Sequence, residues 1–289
     1  MNFEIITDSS CNLTNSVIKE LGLHILSLTY QFGDEVYKTF DKDKENDLKV
    51  FYSRLRNGET ATTSLVTYES VEELSVPLLE EGKDLLYIGF SSGLSGTYNV
   101  TALAFRDLRE KYPDRKLIAI DTLAASLGEG LLVYKAAKMR LDGKSIEECA
   151  DFLEKTKLHL CHWFTVNDLY FLKKGGRVSA STALLGTLLN IKPVMHMDND
   201  GHLILKGKVR GRKASLDALV NKAGDLGIDL ASQTVFISHG DCVEDAEYVR
   251  DQMKEKYGVS DFLINYVDCV IGAHSGPGTV ALFFMGKER

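Results

Sequence analysis

The chain has 289 residues, 44% of them hydrophobic and 26% charged, which is enough apolar content for one large globular domain or two medium ones, with two expected. Its formal net charge of −7 argues against a general affinity for nucleic-acid phosphates and leaves room only for a local basic patch. The five cysteines are odd in number, scattered and without a C-x-x-C pair, so reduced, buried thiols are expected rather than a disulfide framework.

The N-terminal MNFEIITDSS is charged early and strand-like, unlike a signal peptide, and no apolar run approaches membrane-spanning length, so a soluble cytoplasmic protein is expected. FEIITD reads as a strand followed by a helix over 15–21. HILSLTYQFGDEVYKTF alternates around Gly33-Asp34 and reads as a hairpin or an added strand. Asn46 or Asp47 is placed to cap a helix through LKVFYSRLRNG, stopped at Gly58. The loop Ala61-Thr62-Thr63-Ser64 then precedes a capped segment, TYESVEELSVPLL. LLYIGF and KLIAID read as strands, each feeding a helix, over 102–111 and 127–141. Strand and helix in alternation imply parallel βαβ units.

LDGKSIEECADFLEKTKL is an amphipathic helix, and a domain boundary is expected near Lys157, giving units of 1–157 and 158–289. Beyond it come the strand CHWFTV, a helix at DLYFLKKGG, and the apolar run STALLGTLLNI, which reads as buried on most sides. KPVMHMD and HLILKGKV flank Asn199-Asp200-Gly201, a hairpin signal. A helix ASLDALVNKAGDLG, a strand TVFISHG, a helix VEDAEYVRDQMKEKYG and strands at FLINYVDCVIG and TVALFFMG complete the pattern. The fold class is therefore α/β: a parallel sheet with helices on both faces, then a mixed sheet with antiparallel pairs and helices.

In open parallel sheets ligands bind outside the carboxyl ends of the strands. The loops Thr7-Asp8-Ser9-Ser10, Ser91 to Thr97, and Asp121-Thr122 with Ser126 are rich in hydroxyls, as is 61–64. Neutral hydroxyls and backbone N–H groups suit a carboxylate, whereas triphosphate would call for the absent G-x-x-x-x-G-K-[ST] pattern. Each hydroxyl taken singly reads first as a helix cap or a turn residue, and only the clustering favours a ligand.

Gly89-Phe90-Ser91-Ser92-Gly93 also spells a serine-hydrolase elbow, making an esterase with Ser91 as nucleophile and His274 as base the rival reading. Against it, Leu94-Ser95-Gly96 adds a loop segment before the helix, and no HGGG-type oxyanion motif lies upstream. GAHSGPG puts His274 in a glycine-rich loop between two apolar strands, where a ligand could approach the backbone. In HLCHW, His162 on a strand faces away from His159 and Cys161, so no metal site is expected. KGKVRGRK and KKGGR concentrate the basic residues, as a docking face for an acidic partner, a counter-charge at the crevice or a solvated edge.

Together, IITDSSCNL, TTS at 62–64, GFSSGLSGTYN, IDTLAASLGEG, LYFLKKGGRVS with NIKPVM, KVRGRK and IGAHSGPGTVALFF resemble the DegV family of bacterial fatty-acid-binding proteins, in that order and over nearly the whole chain. One departure is Leu65-Val66-Thr67, where the family would carry a more polar stretch. The resemblance implies two α/β domains clasping one long-chain fatty acid, its carboxylate held by Thr63 (or Thr62) and by Ser95 with Gly96 of GLSG. His274 would join that network, and Arg210 (or Arg212) with it. Arg177 of GGRVS would dock a separate ATP-dependent kinase subunit that phosphorylates the acid to an acyl phosphate for phospholipid synthesis; without such a partner the same pocket would make the chain a lipid sensor or transporter. No catalytic residue, metal or cofactor is implied for this chain beyond the bound fatty acid.

Overall fold

The computed structural model describes residues 3–42, 46–167, 169–179 and 190–289. In chain order the first half runs β1 (Phe3–Asp8), α1 (Asn15–Glu20), β2 (Leu23–Leu26), β3 (Thr29–Phe32), β4 (Glu35–Lys38), α2 (Leu48–Arg56), β5 (Ala61–Ser64), α3 (Tyr68–Glu80), β6 (Asp84–Gly89), α4 (Thr97–Lys111), β7 (Leu117–Asp121), α5 (Leu127–Leu141) and α6 (Ile146–Thr156). The second half continues with β8 (Leu160–Thr165), α7 (Tyr170–Lys174), β9 (Ile191–Met197), β10 (Leu203–Arg210), α8 (Arg212–Leu226), β11 (Thr234–His239), α9 (Val243–Tyr257), β12 (Asp261–Tyr266), α10 (Cys269–Ser275) and β13 (Val280–Met285).

The first sheet has the order β2-β1-β6-β7 and is parallel throughout. Its central strand β6 is buried along its whole length, as the unbroken apolar run requires of a strand covered on both faces. Alternate side chains divide between two cores. Ile5, Leu86 and Ile88 join α5 and α6, while Ile6, Leu85 and Tyr87 join α3 and α4. Helix starts are fixed by side chains, at α2 by Asp47 rather than Asn46. Asp47 accepts from the Val50 amide, and Ser145 and Glu148 form a reciprocal capping box at α6.

The second sheet is mixed, of order β10-β9-β8-β13-β11-β12, with only β11 and β12 parallel. One face packs on α8 and α9 through Leu219, Val220, Val249 and Met253. The other face turns Phe236 and Phe283 toward α5. That helix is buried nearly all round, as befits an element clamped between two sheets, and Gly128 lies so close to Phe283 that a Cβ would stand 2.8 Å from the ring. The β9–β10 hairpin is closed as its sequence suggested, with Asp198 Oδ1 accepting from the amides of Asp200 and His202 and Gly201 at φ +76°.

Two segments differ from the sequence expectation. Residues 61–64 are not a loop: as β5 they pair antiparallel with β3 in a third sheet of order β4-β3-β5. The chain also does not run as strand through VDCVIG into a loop at His274. Asp268 accepts from the amides of Val270 and Ile271 and starts α10, so His274 lies in a helical turn. The acidic N-cap overrides the β-branched neighbours. Of the apolar run 181–191, only Asn190 and Ile191 fall within the described residues.

Candidate functional site

Because the first sheet is parallel, the carboxyl ends of β1, β6 and β7 lie on one edge, and buried side chains draw the loops there together. Asp8 Oδ2 accepts from the Tyr87 hydroxyl at 2.9 Å and the Phe90 amide at 3.0 Å, joining β1 to the loop after β6. Burial raises the Asp8 pKa, opposed by those hydrogen bonds. Asp121 Oδ1 accepts from the Ser92 and Leu123 amides, and Thr122 donates to the Gly89 carbonyl at 2.7 Å. The 90–97 loop is therefore held from three sides.

Within it, Ser91 is fully buried: its hydroxyl donates to the Gly201 carbonyl at 2.9 Å and accepts from the Gly93 amide at 3.2 Å. It ties the first-sheet loop to the β9–β10 turn, an arrangement that occupies the hydroxyl an esterase would need. Ser95 Oγ accepts from the Thr97 amide at 3.2 Å and lies 3.0 Å from the Thr97 hydroxyl, at the start of α4 beside Gly96.

These loops face the second sheet and α10 across a cavity of about 580 Å³, within the usual range for a small-molecule site. Thr63, Ser95, Gly96, His274 and Arg177 all line it. Strand alternation on β5 leaves Thr62 exposed while Thr63 turns inward, its hydroxyl 2.8 Å from His274 Nε2. Burial, and then the nearby Arg177 charge, push the His274 pKa down to about 4, so the imidazole is neutral at pH 7. Among the described lining residues Arg177 alone carries a fixed charge. It is partly buried, with Nε donating to the Leu94 carbonyl at 3.3 Å and Nη1 to that of Gly175.

One glycine of KKGG and one of HSGPG are explained by contact between the two segments. A Cβ on Gly175 would overlap His274 Nδ1, and one on Gly276, at φ +78°, would overlap the Phe171 ring. The helix that carries His274 and the turn that carries Arg177 thus interlock at a distance only glycine permits.

Arg210, expected in the carboxylate network, is exposed at the end of β10 and stands outside the lining. The alternative, Arg212, is paired with Asp245 at 2.8 Å. In HLCHW, the His159 ring approaches the Lys287 carbonyl while Cys161 and His162 join opposite faces of β8, so the three do not converge. Ser126, expected at the crevice, lines it, whereas sequence reasoning passed over His162 and Ser238 as wall residues. For His162 the signal was its alternation with Leu160 and Phe164 on the inward strand face.

The profile of the family described as "Uncharacterised protein, DegV family" matches residues 2–287. The chain belongs to the DegV family. A DegV domain-containing protein of Clostridium perfringens is 44% identical over 287 residues, 99% of this chain and 98% of the relative. Among solved DegV structures, a lipid-binding protein of Thermotoga maritima superposes with a TM-score of 0.85 at 29% identity, each chain fully covered. A DegV family protein of Thermus thermophilus described for its fatty acid binding gives 0.86 at 27%, over 99% of this chain and all of the other. The mixed α/β architecture of this DegV chain is that of those structures, and none of its described helices is long and apolar enough to cross a membrane.

Proposed function

We propose that the chain binds one long-chain fatty acid in this cavity, with the carboxylate at Thr63, His274 and Ser95 and the tail among apolar side chains such as Phe90, Phe164 and Leu203. The observation that carries the reading is the Thr63–His274 pair, a neutral hydrogen-bonding couple on the wall of a largely apolar cavity. About fifteen methylenes at ~0.8 kcal/mol each supply ~12 kcal/mol of gross driving force before ordering costs, so the tail provides affinity. A carboxylate taken from water needs its hydrogen bonds replaced, so the head group provides orientation. The Thermotoga and Thermus relatives, described as lipid- and fatty-acid-binding, support the ligand class.

In this reading residues 1–157 and 158–289 are two domains with the ligand between them. The protein acts in the cytoplasm, in keeping with its free thiols, and has no catalysis of its own. It presents the head group to a separate ATP-dependent kinase subunit that forms the acyl phosphate, consistent with a sequence that lacks a phosphate-binding P-loop. Denaturing the purified protein, extracting it with organic solvent and analysing the extract by mass spectrometry tests the ligand. A near-stoichiometric free fatty acid is expected, and an empty extract from folded protein overturns the reading. Adding a fatty acid kinase subunit and ATP tests the partnership through acyl phosphate formation.

A further inference from the structure

One polar group in the cavity wall has no part in holding a carboxylate. His162 stands on β8 between Leu160 and Phe164, on the sheet face turned toward α5, and is only 4% exposed. Its ring packs against Phe283 at 4.6 Å and Phe164 at 5.7 Å between centroids, and it lines the cavity. Nδ1 is sealed without a partner, and the ring forms no hydrogen bond with any described residue. An imidazole buried in this way carries a desolvation cost for each hydrogen bond it lacks, which a phenylalanine at the same place would not incur.

The sheet register shows how a ligand reaches it. Phe164, Ala281 and Ser238 form one row across β8, β13 and β11, and His162, Phe283 and Phe236 form the next row on the same face. Ala281 and Ser238 are small and line the cavity, so their row is a trough beside the bulkier one. Rows on one face are about 7 Å apart along a strand, so an acyl chain lying over Ala281 passes beside the His162 ring, whose Nε2, rather than the sealed Nδ1, is the nitrogen left to meet it. A saturated chain offers that ring nothing. A hydroxyl is both donor and acceptor and complements an imidazole nitrogen whether or not it carries the proton.

We propose that His162 reads a hydroxyl on the acyl chain, so that the preferred ligand is a long-chain monohydroxy fatty acid rather than its unsubstituted counterpart. This deepens the fatty-acid reading and rests on it. The test is displacement of a fluorescent fatty acid by stearic acid and by a positional series of monohydroxystearic acids, with wild-type protein and with His162→Phe and His162→Leu. At one or more positions the hydroxy acid is expected to bind roughly 10-fold more tightly than stearic acid to the wild type. That preference should vanish in both variants, while their affinity for stearic acid holds or rises. Stearic acid binding with no positional preference in the wild type, or a preference that survives in His162→Phe, overturns this inference and leaves the fatty-acid function standing. Failure of every acid to bind the wild type overturns both, and because that arm needs no variant, misfolding of a mutant does not obscure it.

Discussion

The Thr63 hydroxyl and His274 Nε2 meet at 2.8 Å although 211 residues separate them in the chain. One comes from the inward-facing position of a short strand and the other from a helix capped by Asp268, so the pair exists only when the small third sheet is docked on α10. Replacing Thr63 with valine keeps the shape and removes the hydroxyl. The expected result is fatty acid binding weaker by about 1–3 kcal/mol, or roughly 5- to 150-fold, in a displacement assay, with a thermal midpoint within a few degrees of wild type. Unchanged affinity would show that the carboxylate lies elsewhere.

The depressed His274 pKa makes stability depend on pH. As pH falls through 6.5 the unfolded chain takes up the proton, whereas the folded protein does so only near 4. The native state therefore loses stability from this group between those values, by up to about 3 kcal/mol. Denaturant unfolding of wild type and His274→Gln at pH 7.5 and 4.5 isolates the contribution: the wild type should lose more on acidification than the variant. Parallel losses would mean that the imidazole is not buried as described.

Gly175 and Gly176 are neighbours with opposite reasons for being glycine. Gly175→Ala drives a Cβ into the His274 ring, while Gly176, at φ +71°, has open space around its missing side chain. Gly175→Ala should cost about 1–3 kcal/mol of stability and reduce fatty acid affinity together, through the displaced imidazole. Gly176→Ala should cost about 1 kcal/mol for its backbone alone and leave affinity unchanged. Equal affinity losses in the two variants would refute this division.

Arg177 lies against the cavity rather than wholly on the outer surface, which changes what its removal should do. Arg177→Gln should weaken fatty acid binding several-fold, raise the His274 pKa as followed by NMR titration, and impair kinase-dependent phosphorylation beyond the binding loss. A variant with wild-type affinity and an unmoved imidazole would confine Arg177 to partner docking.

Ser91 should remain unlabelled by a fluorophosphonate, because its hydroxyl is committed to the Gly201 carbonyl in a buried contact. Stoichiometric labelling, located by peptide mass spectrometry, would restore the esterase reading.

The elements whose signals are local were legible in the sequence. The apolar runs of β1 and β6, the Asp47 cap and the Asn199-Asp200-Gly201 turn fix their own conformations within a few residues. What escaped depends on distant partners. Ala61-Thr62-Thr63-Ser64 becomes a strand only because β3 is there to pair with it, and that pairing, not the sequence, separates Thr63 from Thr62. Arg210 and Arg212 were attractive for their charge, yet one ends an edge strand in solvent and the other is held by Asp245. His162 was weighed only as a metal ligand, and set aside as one, because its neighbours in sequence are His159 and Cys161. Its neighbours in space are Phe164 and Phe283, brought there by sheet register.

The burial of α5 between the two sheets constrains how any ligand enters. Swinging the sheets apart like a hinged shell would strip Phe236 and Phe283 from the helix and hand its apolar surface to water, a cost that grows with every side chain uncovered. Small displacements of lining side chains uncover far less: among the described residues Leu65 is already exposed and Arg177 spans from Gly175 to Leu94. The rate of uptake and release should then follow the mobility of those few lining side chains while the two sheets stay locked together.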